Sequence, residues 1–325
     1  MPSSGIDHDD WSVCLSKWMM SVMAMVALSA CSGAHQAAPN ATPEAAAAKP
    51  AAATAQRGEG KPYEVLGSEV WDVPDPVSGR NYQVFVALPA GYADTPDKRY
   101  PVLYVTDADY AFPLVWQMAR RLNVEGRKIE DFILVGLSYA KGEGGMQSRR
   151  RDYTPTTRGP SGSPADAVHG GASDYITYLE TQALPFVAKR YRSDESRRMF
   201  LGHSYGALLG TQVLLERPQL FSGYILGSPS YWFDKHEMER RLAAAGKPAE
   251  LPVRAYMYVG EYESVQHGGD ADMVVDAQRM IGLLGARGGQ SLELKLDVLN
   301  DEDHLSVAPR GFMHGLKYLL AAPKG

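Results

Sequence analysis

One serine lies in a context that can turn a weak alcohol nucleophile into a reactive one. Ser204 is the middle residue of Gly202-His203-Ser204-Tyr205-Gly206, which follows a strand-like run at 198–201 and precedes a helix-like run at 207–216. Strand, sharp turn and helix in this order are typical of a nucleophile elbow, which lifts a serine hydroxyl above the edge of a sheet. Glycine is expected on both sides because such a turn leaves no room for side chains. The spacing predicts Ser204 as the nucleophile of an acyl-transfer reaction.

A serine hydroxyl needs a histidine to take its proton, and that histidine needs a carboxylate to fix its tautomer. Behind an elbow of this kind the chain order is serine, acid, histidine. His304 follows the predicted strand 292–299 and is therefore the expected base. The acid should follow the predicted strand 254–259, where the chain reads Gly260-Glu261-Tyr262-Glu263. Glu263 is preferred because it leaves space for a turn, and Glu261 remains an alternative.

The developing oxyanion of an acyl transfer is normally stabilised by two backbone amides. One is expected from Tyr205, the residue after the nucleophile, and the other from the loop after the strand 101–106. That loop reads Asp107-Ala108-Asp109-Tyr110. Asp109 is the predicted second donor, with Ala108 as the alternative.

The elements that must position these residues alternate between strands and helices from residue 63 onward. This alternation predicts an α/β fold, with a mostly parallel central sheet flanked by helices on both faces. The runs 101–106 and 132–137 are continuously apolar and are expected to be buried on both faces. The other predicted strands are 64–73, 81–88, 198–201, 224–227, 254–259 and 292–299, and the predicted helices are 111–122, 173–191, 207–216, 235–246 and 307–320.

A long loop rich in glycine, arginine and proline is predicted over residues 140–172. Loops above strand ends commonly shape substrate choice, and guanidinium groups suit anionic substrates. Arg149, Arg151 and Tyr153 of this loop, together with Trp232 after the strand 224–227, are therefore candidate substrate-binding residues. Solvated charge and an internal ion pair with Asp152 remain the alternative interpretation.

Composition narrows the range of functions. The net charge is −5, with 33 basic and 38 acidic residues, which does not indicate a nucleic-acid partner. Cys14 and Cys31 are the only cysteines, so disulfides and cysteine-based metal sites are not expected in the core.

The N-terminus indicates export. An apolar run at 18–27 follows Lys17 and is too short to span a bilayer, and Leu28-Ser29-Ala30-Cys31 resembles a bacterial lipobox. Residues 1–31 are therefore predicted to be a lipoprotein-type signal with lipid on Cys31, and the Ala/Pro-rich residues 32–61 a disordered tether. The catalytic domain, 62–325, would then lie on the periplasmic side of a bacterial membrane, the outer membrane being favoured. A plain cleaved signal or a buried apolar helix is the alternative.

Several segments together, in their order along the chain, resemble one family. They are similar to the esterase-D-like branch of the α/β-hydrolases, and in particular to periplasmic esterases that act on the siderophores enterobactin and salmochelin. The segments are 100–104, 107–109, 151–155, 202–206, 227–232, 260–263 and 303–304.

The resemblance implies ester hydrolysis through an acyl-enzyme on Ser204, without a metal or an organic cofactor. It also implies a small-molecule ester as the partner, with a ferric catecholate trilactone as one candidate. A general carboxylesterase, an acyltransferase of the same fold and a catalytically inactive binding module remain alternatives. Family members often have glycine where this chain has Ala108, and some of the siderophore esterases work without a firm acid.

Overall fold

The computed structural model describes residues 60, 62–125, 129–245, 252–288 and 291–321. The predicted signal segment, the lipid-bearing Cys31 and nearly all of the predicted tether therefore lie outside the described residues. Within these ranges, no helix combines the length and the apolar character needed to cross a membrane.

The described strands form one eight-stranded sheet with the order β1-β2-β4-β3-β5-β6-β7-β8. β1 and β2 pair antiparallel to their neighbours, whereas β3 to β8 run parallel. Every strand lies where the sequence predicts one. The bounds are β1 Ser68–Pro74, β2 Asn81–Ala87, β3 Tyr100–Thr106, β4 Ile133–Ala140, β5 Ser193–His203, β6 Gly223–Gly227, β7 Val253–Gly260 and β8 Leu292–Leu299.

Helices cover both faces of this sheet, as predicted. α1 and α8 pack on one face and α3 to α7 on the other, so that two hydrophobic cores sandwich the strands. The bounds are α1 Ala108–Glu125, α2 Gly145–Asp152, α3 Ala172–Tyr178, α4 Leu184–Arg190, α5 Tyr205–Glu216, α6 Phe233–Ala244, α7 Met273–Gly288 and α8 Val307–Leu319.

The central strand β3 shows why the sheet forms here. Its side chains alternate between the two cores: Val102 and Tyr104 belong to one, Leu103 and Val105 to the other. All four are fully buried. β-branched and aromatic residues fit such a pleated, doubly covered surface well, so the prediction of a strand buried on both faces is confirmed.

Two helices depart from the sequence-based expectation. α2 lies inside the segment 140–172, which was predicted as a loop, and α7 was not predicted at all. α2 reads Gly-Met-Gln-Ser-Arg-Arg-Arg-Asp and has almost no apolar stripe. Its buried face is made instead by ion-paired polar side chains, which local hydrophobic periodicity does not detect.

The predicted helix 173–191 is divided but not broken. A π-helical turn, Leu179–Ala183, joins α3 to α4, and Pro185 lies in the first turn of α4. Proline has no N–H to donate to the preceding turn and its ring crowds a carbonyl of that turn, and a π-helical widening accommodates both. The expected interruption at Pro185 therefore takes the form of a widened turn.

Candidate active site

Ser204 lies at the turn between β5 and α5, with φ 59° and ψ −119°. Its amide donates to Gly227 O at 2.8 Å, which ties the turn to the end of β6. A Cβ on Gly206 would lie 2.3 Å from Thr106 Oγ1, and a Cβ on Gly202 would lie 2.3 Å from the carbonyl of Gly206. Both contacts are far too short for real atoms, which confirms the steric need for the two glycines. The sequence folds into an elbow because only glycine fits on either side of the turn.

Left-handed or similar backbone conformations recur along this edge of the sheet. Asp107, Ser204 and Ser228 follow β3, β5 and β6 directly and have φ values of 55°, 59° and 40°. Positive φ is unfavourable for residues with a Cβ and is found mainly where the surrounding structure enforces it. The three kinks turn the chain sharply at the carboxyl ends of three adjacent parallel strands.

His304 and Glu263 are brought together at the same edge, after β8 and β7. His304 Nδ1 lies 2.6 Å from Glu263 Oε2. The other carboxylate oxygen accepts from Ser228 Oγ at 2.5 Å and from the Gly260 amide at 2.7 Å. Glu263 is only 5% exposed, so these three donors replace the water that burial removes.

Glu261, the alternative acid, is engaged elsewhere. Its carboxylate accepts from the Asp301 amide at 3.0 Å and stabilises the turn after β8. Of the two glutamates, Glu263 is therefore the one that contacts His304.

The contact with Glu263 sets the tautomer of His304. A carboxylate accepts hydrogen bonds, so Nδ1 carries the proton and Nε2 is left as an acceptor. Within the described part of the chain, Ser204 Oγ hydrogen-bonds to Ser230 Oγ at 3.3 Å and not to His304. Hydrogen bonds of this kind are commonly formed only once substrate is bound.

His203 joins the elbow to the loop that carries His304. Its Nε2 donates to the His304 carbonyl at 2.8 Å, and its Nδ1 accepts from Tyr258 OH at 3.1 Å. The two imidazole rings lie 4.8 Å apart between centroids. Burial lowers the pKa of His203 to about 3. This histidine stays neutral at physiological pH and fixes the backbone of His304 against the elbow.

The two predicted oxyanion amides both lie in first helical turns. Tyr205 is the first residue of α5 and Asp109 the second of α1, and N–H groups at these positions have no acceptor within the helix. The Asp109 carboxylate accepts from Ser138 Oγ at 2.8 Å, so this side chain is fixed away from its own amide. Both amides are thus placed at the carboxyl edge of the sheet, beside the elbow.

Arg149 is half-buried and forms an ion pair with the buried Asp107, the residue after β3. Its Nε contacts Asp107 Oδ1 at 2.8 Å, and Tyr139 OH donates to the same oxygen at 2.8 Å. The guanidinium also lies 5.6 Å from the ring centre of Tyr205. Burial raises the pKa of Asp107, and the charge of Arg149 opposes that rise. Arg149 therefore braces the loop after β3, and its predicted contact with substrate stays a prediction.

Arg151 and Tyr153 do not fit a substrate-binding role. Arg151 is buried and pairs with Asp152 at 2.8 Å and with Glu143 at 2.6 Å. Tyr153 is buried in the core beside Tyr175. Both are corrections to the sequence-based prediction, because an arginine-rich loop was expected where the chain forms the compact helix α2.

Trp232, by contrast, remains near the elbow. It is half-buried, and its ring centre lies 6.1 Å from that of Tyr205.

Ser228, Ser230 and His203 received no role from the sequence. The sequence could have indicated the two serines, because Ser228-Pro229-Ser230 directly follows β6, and β6 lies beside the strand that leads to Ser204. Side chains at adjacent carboxyl ends of parallel strands meet, which is how Ser228 reaches Glu263 and Ser230 reaches Ser204.

Comparison with known proteins identifies the family of this chain. The family model described as "Putative esterase" matches residues 76–274. The ferri-bacillibactin esterase BesA of Bacillus subtilis is 28% identical over 276 residues, covering 81% of this chain and 93% of that protein.

Two solved structures share the fold. The BES protein from Bacillus cereus has a TM-score of 0.68 at 24% identity, over 82% of this chain and 99% of that chain. An IroE-like serine hydrolase from Shewanella oneidensis has a TM-score of 0.66 at 23% identity, over 78% of this chain and 80% of that chain. The fold is thus that of the α/β-hydrolases, as expected. Because the family model spans more than half of the 325 residues, the chain belongs to the Putative esterase family and is a hydrolase of ester bonds.

Proposed function

We propose that Ser204 is the nucleophile of this esterase, His304 its general base and Glu263 the carboxylate that orients the base. The observation that carries this proposal is the buried Glu263, which holds His304 Nδ1 at 2.6 Å and leaves Nε2 free. A free Nε2 on a histidine anchored to the elbow is what deprotonation of a serine hydroxyl requires.

The reaction proceeds in two halves. Ser204 Oγ attacks the ester carbonyl while His304 Nε2 takes the hydroxyl proton, and the carbonyl oxygen becomes an oxyanion. The amides of Tyr205 and Asp109 stabilise that charge. The intermediate collapses, and the alcohol leaves with the proton from His304. Water then attacks the acyl-enzyme, gives a proton to His304, and the acid is released as Ser204 regains its hydrogen.

The hydroxyl must leave Ser230 for this to happen. Rotation about the Cα–Cβ bond of Ser204 would release the 3.3 Å contact with Ser230 Oγ, and it is the movement that we propose for reaching His304. Such a rotation between staggered positions is a small change for a serine that is only partly buried.

A fluorophosphonate probe tests the nucleophile. The full chain should be labelled, Ser204→Ala should not, and Ser222→Ala should be labelled like the wild type. Ser222 is a suitable control because it lies before β6, at the opposite edge of the sheet, where it donates to Arg198 O. An unlabelled wild type, or undiminished labelling of Ser204→Ala, would refute the assignment.

For the substrate we propose a siderophore ester of the catecholate trilactone type. BesA of Bacillus subtilis is named as an esterase of ferri-bacillibactin. Around the elbow, exposed apolar side chains include Tyr110 at 45% and Leu305 at 81%. Among the described residues Arg150 is in no ion pair, and its charge acts on Tyr205. A cation beside an apolar rim suits an anionic aromatic ligand.

Turnover of two substrates tests this choice. We expect a higher kcat/KM for ferric enterobactin than for p-nitrophenyl butyrate. Arg150→Ala should lower the first and spare the second, whereas Arg217→Ala, a paired surface arginine, should change neither. Slow trilactone hydrolysis with fast turnover of the simple ester would contradict the proposal while leaving Ser204 as the nucleophile.

We also propose that the chain is anchored on the periplasmic side of a bacterial membrane by lipid on Cys31. The support is the short apolar run and the lipobox-like Leu28-Ser29-Ala30-Cys31. Metabolic labelling with an alkyne fatty acid should mark the wild type and Cys14→Ser but not Cys31→Ser. Equal labelling of all three would contradict an anchor at Cys31.

A further inference from the structure

A second group of titratable side chains lies where α6 meets α7. His236 Nδ1 lies 3.3 Å from Glu239 Oε1 and 3.5 Å from Asp276 Oδ1. One possible ligand atom from each of the three residues lies within 4.8 Å of the other two. Among the described residues, this is the one group of histidine, cysteine and acidic side chains that meets this criterion.

The cluster contains polar atoms without partners. Asp276 is 4% exposed, and its Oδ2 is sealed from solvent with no hydrogen bond in the described structure. His236 Nδ1 is likewise sealed and makes no hydrogen bond, although two carboxylates face it. Burying a carboxylate oxygen without a partner is strongly unfavourable. The lone pairs of His236 Nδ1 and the Asp276 carboxylate converge without a hydrogen bond between them, an arrangement that a bound cation would stabilise.

The spacing fits a metal ion. Ligands bound tetrahedrally at roughly 2.0–2.1 Å lie about 3.4 Å from one another. The two distances from His236 Nδ1, 3.3 Å and 3.5 Å, lie on either side of that value. An imidazole nitrogen with carboxylate oxygens suits Zn²⁺ and related transition ions, whereas Mg²⁺ prefers oxygen ligands alone.

We propose that His236, Glu239 and Asp276 form a divalent transition-metal site, with Zn²⁺ as the preferred ion. Water completes the coordination, since the His236 side chain is 40% exposed. The site joins the two helices and takes no part in ester hydrolysis. α6 starts directly after Trp232, and the ring of its first residue, Phe233, lies 5.8 Å from that of Tyr205. Bound metal would therefore stabilise the wall beside the elbow.

Arg279 is the group that competes with the metal. Its Nη1 lies 3.2 Å from both Glu239 oxygens and 3.6 Å from Asp276 Oδ1. The side chain is 47% exposed, so it can move into solvent when a metal takes the carboxylates. Removing it should strengthen metal binding, because a positive charge no longer repels the ion. If the cluster were only a set of ion pairs, removing Arg279 would not increase the affinity for a metal ion.

The experiment is calorimetric titration of the EDTA-treated full chain with ZnCl₂. We expect Asp276→Asn and His236→Ala to bind one Zn²⁺ fewer than the wild type, or at least about tenfold more weakly. Arg279→Ala should bind severalfold more tightly. His314→Ala is the matched control, since His314 is another half-exposed histidine, 3.7 Å from Asp297, and it should bind like the wild type. Cysteines and histidines of the N-terminal segment are the same in every variant and cancel in the comparison.

Thermal unfolding provides the second measurement. ZnCl₂ should raise the midpoint of the wild type but not of Asp276→Asn, and MgCl₂ should raise neither. Circular dichroism without metal identifies any variant that fails to fold, and Asp276→Asn is nearly isosteric. Equal stoichiometry and affinity in wild type and Asp276→Asn would overturn the proposal, as would an unchanged affinity in Arg279→Ala. Because Ser204 labelling is measured separately, either outcome leaves the proposed hydrolysis unaffected.

Discussion

Glu263 and Asp276 are both buried carboxylates beside a histidine, yet their surroundings are opposite. They are 5% and 4% exposed. Glu263 receives hydrogen bonds from Ser228 and Gly260 and contacts His304 at 2.6 Å. Asp276 has one sealed oxygen without a partner, and its nearest histidine nitrogen, at 3.5 Å, makes no hydrogen bond. Burial alone therefore does not indicate what a carboxylate does.

The difference lies in how the donors are supplied. Around Glu263 the donors belong to the protein, so the carboxylate is held rigidly and its position fixes His304. Around Asp276 the protein supplies acceptors and the exposed Arg279, so the charge is only partly compensated. A carboxylate surrounded by hydrogen-bond donors, such as Glu263, is suited to orienting a base. A carboxylate that lacks donors, such as Asp276, is suited to binding a cation.

The largest effect expected from this comparison is on catalysis. Glu263→Gln places an amide against Nδ1 of His304 and disfavours the required tautomer, so kcat/KM should fall by about 10²–10⁴-fold. Asp276→Asn, assayed in EDTA, should cause a much smaller loss. Initial rates with p-nitrophenyl butyrate measure both. Similar losses in the two variants would remove the functional distinction between the carboxylates.

The next effect is on the free energy of unfolding, which only one of the two neutralising substitutions should lower. Glu263→Gln breaks a satisfied buried network and should destabilise the fold by about 1–3 kcal/mol. Asp276→Asn removes a buried charge that is only partly compensated and, without metal, should leave the stability unchanged or raise it. Urea unfolding in EDTA gives both values. A marked loss of stability in Asp276→Asn would mean that Arg279 already satisfies this carboxylate.

The smallest effect concerns the pH dependence of stability that comes from His203, the buried histidine beside the loop of His304. His203 has both ring nitrogens bonded, and burial lowers its pKa to about 3, below the ordinary value of 6.5. The unfolded chain therefore binds one more proton at this position between these pH values. Stability from His203 is present above pH 6.5 and is lost as the pH falls toward 3, by at most about 1.4 kcal/mol per pH unit.

The substitution His203→Gln isolates this slope. Glutamine can keep a donor near the His304 carbonyl but does not titrate, so the variant should lose less stability than the wild type between pH 6.5 and 4.5. Urea unfolding at several pH values measures the difference. Parallel curves for the two proteins would show that His203 is not held neutral by burial.

Much of the fold followed from local pattern. Continuous apolar runs predicted β3 and β4, and glycines around Ser204 predicted the turn, because each signal is contained in a few neighbouring residues. The rule of chain order then selected His304 from eight histidines and Glu263 as the preferred acid. The structure brings these two side chains into contact, and their catalytic roles remain proposals.

The remaining features depend on contacts between distant segments. Arg149 reaches Asp107, and Ser228 reaches Glu263, only because parallel strands align their ends. α2 was missed because ion pairs rather than apolar residues bury one side of it. α7 does carry an apolar pattern, at Met273, Ala277, Met280 and Leu284. Because that helix is absent from the sequence-based prediction, the contact between Asp276 and His236 could not be predicted either.

The positive φ values after β3, β5 and β6 have a consequence for laboratory evolution. Each such residue carries a torsional penalty, on the order of 1–3 kcal/mol, that glycine would relieve. Heat selection applied without an activity screen should therefore enrich Ser204→Gly, whereas at Ser228 the lost hydrogen bond to Glu263 opposes the gain. The most thermostable descendants of this chain would be inactive, and the position that turns to glycine would mark its nucleophile.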